Sequence, residues 1–157
     1  MDYYKLLAII SPLASVFLAG LFAYVFSLRA KKFDILYENK IPAFKEITFK
    51  LTNLKKFCDG RVAYFIASEY SPYYESNVGI LQHRIEIANT VDINSIFISP
   101  KSRKSIDNLL SEMGSLANAE QSIISGNDMI GIEDEYERIN LLTENCIAVL
   151  YKDLNLK

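Results

Sequence analysis

LLAIISPLASVFLAGLFAYVFSL, running from Leu6 to Leu28, is twenty-three residues without a charge, an amide or an imidazole. At about 1.5 Å of rise per residue, a helix of that length reaches roughly 34 Å, enough to cross a hydrocarbon core of about 30 Å with modest tilt. A surface-packed helix of a soluble core would keep a polar stripe, and this run has none. A cleaved leader would carry a shorter apolar part behind a basic head. Here Met1 to Lys5 holds one Asp and one Lys, and the cluster Arg29, Lys31, Lys32 comes after the run. The stretch therefore reads as a single membrane span. Cytoplasmic flanks are enriched in Lys and Arg, so the same cluster predicts a single-pass protein with its N-terminus outside and its C-terminus in the cytoplasm.

Inside the run, Ser11, Ser15, Ala19, Ala23 and Ser27 recur every four residues. Each step advances about 400° around the helix, so the five form a slanted ribbon. Lipid supplies no hydrophobic drive between helices, and small residues at this spacing let backbones approach. The ribbon is expected to pack the spans of a homo-oligomer or to line a pore between them. The competing reading is that a Ser hydroxyl bonds its own preceding turn and needs no partner. Pro12 removes one backbone bond and should bend the first turns.

Outward from the span, the chain divides into a transmembrane helix with its basic flank, residues 1–32, and a cytoplasmic domain, residues 33–157. The net charge of -2 conceals a gradient: Arg29 to Lys56 is predominantly basic and Glu112 to Glu144 predominantly acidic. The basic part suits anionic lipid, or an acidic surface of its own or a neighbouring chain. Two cysteines, Cys58 and Cys146, no CxxC pair and the single His83 support neither a disulfide framework nor a metal site, and no cofactor is expected.

The cytoplasmic part shows helical spacing in four segments. Phe33, Tyr37, Phe44, Ile47, Leu51, Leu54 and Cys58 follow a three-four pattern, with a kink or short break expected at Ile41-Pro42, a possible hinge below the bilayer. Gly60 is a helix end or a tolerated interruption before Ser71-Pro72. Tyr70, Tyr73 and Tyr74 cluster in the next loop, where they pack over the helices or stack a base. A helix over 76–91 is expected to bury Val78, Leu81, Ile85, Ala88 and Val91 and to leave His83 on the surface. Asp92 to Ile98 reads as a connector that plugs the core with Ile96, Phe97 and Ile98. Ser99-Pro100 is a clear helix start, an N-cap followed by Pro at the first helical position, with Ile106, Leu109, Leu110, Met113 and Leu116 as the buried face. Lys101, Arg103 and Lys104 occupy its first turn, where the dipole favours anions. They mark a candidate site for a phosphate, a nucleotide or another anionic signal, or else a solvated turn or a contact with acids of a neighbouring helix. Ser125 to Asp128 makes a turn, and a last helix to Leu154 opens on Glu133, Asp134 and Glu135.

The expected fold is all-α: one transmembrane helix continuing into a cytoplasmic helical bundle. Gly-rich phosphate loops, HExxH, GxSxG and signatures for binding duplex nucleic acid are absent from the sequence, and no enzyme is argued from it. The layout, a short chain joining a span to a helical cytoplasmic domain, resembles small bacterial membrane effectors of antiphage and abortive-infection systems. That resemblance implies a homo-oligomer that gates or perturbs the membrane when its soluble domain receives a signal, with membrane lipid and further copies of itself as partners. The alternative is an anchored adaptor for a cytoplasmic protein.

Overall fold

The structure, a computed structural model, describes residues 3–66, 78–124 and 131–154. Among them the elements are α1 (Tyr3–Ile35), a π-turn (Leu36–Lys40), α2 (Ile41–Phe65), α3 (Ile80–Ile93), a short 3-10 turn (Ser95–Phe97), α4 (Pro100–Ile124) and α5 (Ile132–Leu154), with no strand. Internal contacts divide the chain into two units, Met1–Lys40 and Ile41–Lys157.

In the first unit α1 is long and apolar enough to cross a membrane. Every residue from Ala14 to Ile35 is exposed. The helix is continuous through Pro12. The unit ends on the π-turn, just before Pro42 in the sequence. Proline lacks the N–H that would bond the carbonyl four residues back, and its ring crowds that carbonyl. Widening the preceding turn accommodates both effects without breaking the helix, so the expected interruption at Ile41-Pro42 takes the form of a π-turn ahead of it.

In the second unit the three-four spacing of α2 becomes a buried stripe of Phe44, Ile47, Leu51, Leu54, Phe57 and Cys58, and the helix runs straight through Gly60. From α4 come Ile106, Leu109, Met113 and Leu116, and from α5 Ile132, Tyr136, Ile139, Cys146 and Leu150, all joined in one core. The helices meet in chain order: α2 packs on α3, α3 on α4, α4 on α5, and α5 returns to α2 in the most extensive contact of the four. Gly131 precedes α5 with φ of 92°, a conformation that costs any residue with a Cβ.

Two expectations fail here. In α3 the buried residues are Ile80, Ile87, Thr90 and Val91, whereas Leu81 and Ile85 are exposed, so the inward stripe is turned from the predicted one. The true stripe carries His83, Thr90 and Asn94 at its three-four positions, and these polar residues hid its periodicity. Asn94 resolves its own burial by donating to the Thr90 carbonyl at 2.9 Å and to Glu46 at 3.3 Å. In the connector, Phe97 and Ile98 pack against the core, but Ile96 is 84% exposed, because a single 3-10 turn presents only one side inward. The predicted tyrosine cluster and the 125–128 turn lie outside the described residues.

Candidate functional site

The ribbon residues Ser11, Ser15, Ala19, Ala23 and Ser27 all lie exposed on α1. Ser15 Oγ donates to the Ser11 carbonyl at 2.9 Å, so that hydroxyl proton is satisfied within the helix. A Cβ built on Gly20, beside Ala19, would meet nothing within 4 Å. The surface is thus small, apolar and open, which suits close backbone approach and demands no polar partner at Ser15.

At the start of α4 the sequence pattern resolves into a specific network. Ser99 Oγ accepts the Ser102 N–H at 3.2 Å, the N-cap bond that its position predicts. The Ser99 N–H and the Ser102 hydroxyl both donate to Asp153 Oδ2, at 3.0 and 2.9 Å. Asp153 belongs to the last turn of α5, where a carboxylate opposes its own helix dipole. Its position makes sense at the N-terminus of α4, where it supplies the negative charge that a first turn holding Lys101, Arg103 and Lys104 lacks. Arg103 pairs with Asp92 of α3 at 2.8 Å and with Asp107 at 3.1 Å, and these carboxylates hold its guanidinium even more firmly protonated. Lys101 and Lys104 point to solvent. Lys101 and Lys152 flank a small cavity of about 200 Å³ whose floor includes Ser102, Val149 and Asp153. The three predicted cations therefore divide: Arg103 ties α3 to α4, and the two lysines stay outward. Asp153 was missed, although an acid in the final turn of a helix was a legible sign that it answered something elsewhere.

Toward the far ends of α2 and α4, the Phe57 ring lies 4.9 Å from that of His83 and 6.0 Å from that of Tyr136, with the Arg61 guanidinium 5.3 Å above it. The Tyr136 hydroxyl donates to Glu120, and burial together with that carboxylate raises its pKa far beyond the ordinary range. His83 is half-buried rather than on the surface as expected, and its Nε2 is enclosed without a hydrogen-bond partner. Burial holds the imidazole below its ordinary pKa; Glu86 pulls it up and Lys50 pushes it further down. Both thiols are buried and pushed up by desolvation, Cys58 most strongly, so neither is a ready nucleophile.

A groove of about 560 Å³ opens between α3 and α4, lined by Leu81, Arg84, Ser111, Gly114, Ser115 and Asn118 among others. Arg84 Nε donates to the Leu110 carbonyl at 2.8 Å, and the guanidinium lies beside Gly114, where a Cβ would stand 3.6 Å from Nε. No family model, curated protein or solved structure matches this chain.

Proposed function

We propose that this chain is a single-pass protein of a bacterial inner membrane, with its N-terminus outside and a cytoplasmic helical bundle, and that it works as a homo-oligomer gating or perturbing the membrane. The observation that carries the reading is the Leu6–Leu28 part of α1: uncharged throughout and exposed from Ala14 onward, it offers a surface that water does not tolerate and lipid does. The one-sided flank of Arg29, Lys31 and Lys32 supports the orientation. The ribbon of Ser11, Ser15, Ala19, Ala23 and Ser27 supports assembly, and the π-turn next to Ile41 and Pro42 is a natural point for a signal to pass between span and domain. In this reading Lys101 and Lys104, with Arg103 behind them, receive an anionic signal. The mode of action is that of the antiphage membrane effectors whose layout the sequence resembles.

The groove beside Leu81 and Arg84 favours a second reading, an anchored adaptor in which that groove takes a protein partner. Ion flux and dye leakage in expressing cells separate the two. An effector makes cells leak on induction, whereas an adaptor leaves the barrier intact. A C-terminal alkaline phosphatase fusion is expected to be inactive, and an active one overturns the orientation.

A further inference from the structure

One end of the Ile41–Leu154 unit is unlike the rest of its surface. It gathers the start of α2, the α3–α4 connection and the last turn of α5, tied together by the Asn94–Glu46, Arg103–Asp92 and Ser99–Asp153 contacts. Its acids are engaged in those contacts, while Lys45, Lys101, Lys104 and Lys152 are exposed and form no ion pair among the described residues. Elsewhere in the unit Lys50 pairs with Glu86, Lys55 with Glu144, and Arg138 with Glu112 and Glu135. The same end carries Ile96 at 84% and Ile93 at 79% exposure, the most exposed large apolar side chains described in the unit. Aliphatic side chains have no polar tip to hydrate, so two of them amid unpaired lysines suit an interface that is apolar within and anionic at its rim. A free nucleotide would engage the lysines and leave Ile93 and Ile96 idle.

We propose that this end is a second membrane contact, in which Ile93 and Ile96 enter the bilayer interface and Lys45, Lys101, Lys104 and Lys152 meet the phosphates of anionic lipids. The proposal rests on the reading of Leu6 to Leu28 as a span. Ile41 stands thirteen positions after Leu28. Even fully extended, a tether of that length limits the separation of the unit from the span to on the order of 45 Å. Anionic lipid attracts each lysine only within about a Debye length, so the contact is sensitive to headgroup charge and to salt.

The test uses the full chain reconstituted in vesicles of phosphatidylcholine, with or without phosphatidylglycerol, and an environment-sensitive thiol probe on I96C or F17C, read by quenching from brominated lipids. Cys58 and Cys146 are buried, so the introduced thiol takes the probe. The I96C probe is expected to be quenched several-fold more in phosphatidylglycerol vesicles than in pure phosphatidylcholine. K101E/K104E/K152E should abolish the difference, while the F17C probe is quenched in both. An I96C probe that stays unquenched beside a quenched F17C overturns the proposal. So does a blue-shifted but unquenched one, which means that a second copy covers the site. An unquenched F17C overturns the span reading instead, and in that case quenching at I96C still decides the contact by itself.

Discussion

His83 is the chain's single histidine, and its Nε2 is shut away from water beside the Phe57 ring. Burial lowers its folded-state pKa below the ordinary 6.5, so the folded chain prefers the neutral ring. Below about 6.5 the unfolded chain takes up a proton that the folded chain resists, so stability is present above that pH and falls as acidification proceeds toward the folded pKa. Denaturant unfolding of the detergent-solubilised protein, followed by circular dichroism, should show the midpoint dropping on mild acidification. His83→Phe keeps a ring against Phe57 and removes the unpaired nitrogen. It should remove that pH dependence and stabilise the neutral-pH fold by about 1 kcal/mol. A pH dependence unchanged in the variant would assign it to other groups.

At the scale of the helix, α4 depends on α5 for its beginning. Asp153→Ala would leave the Ser99 N–H and the 1% exposed Ser102 without the carboxylate they donate to, at a cost of about 2 kcal/mol. Asp153→Asn keeps an acceptor and loses only the charge facing the dipole, so it should cost about half as much or less. Thermal unfolding of the two variants checks the order, and equal losses would mean that charge outweighs hydrogen bonding there. The start of α4 was legible because Ser99-Pro100 acts through local backbone chemistry. The faces of α2, α4 and α5 were legible because their buried positions are almost all apolar. In α3 the inward stripe is interrupted by His83, Thr90 and Asn94, whose burial is made tolerable by Phe57, by a backbone carbonyl and by Glu46, none of which adjacent sequence can reveal. The role of Asp153 was hidden for the same reason: its partners stand more than fifty positions away.

For the molecule as a whole, α1 is where the proposed assembly would be decided. Ala19→Leu or Ala23→Leu places bulk on the small-residue ribbon and should force neighbouring helices apart, lowering disulfide crosslinking between single-cysteine spans several-fold while insertion is retained. Efficient links along Phe17, Leu21 and Val25, with none along Ser15, Ala19 and Ala23, would move the interface to the opposite face. The order in which the helices of the second unit meet has a consequence for its birth. Each of α3 and α4 can settle on the helix made just before it, which keeps early contacts local and quick. The circuit closes only through α5 on α2, across separations as long as that from Lys55 to Glu144, 89 positions. The face of α2 that meets α5 therefore stays uncovered until α5 has been made. Until then the nascent domain is a sticky, unfinished intermediate whose fate depends on α5 arriving in time.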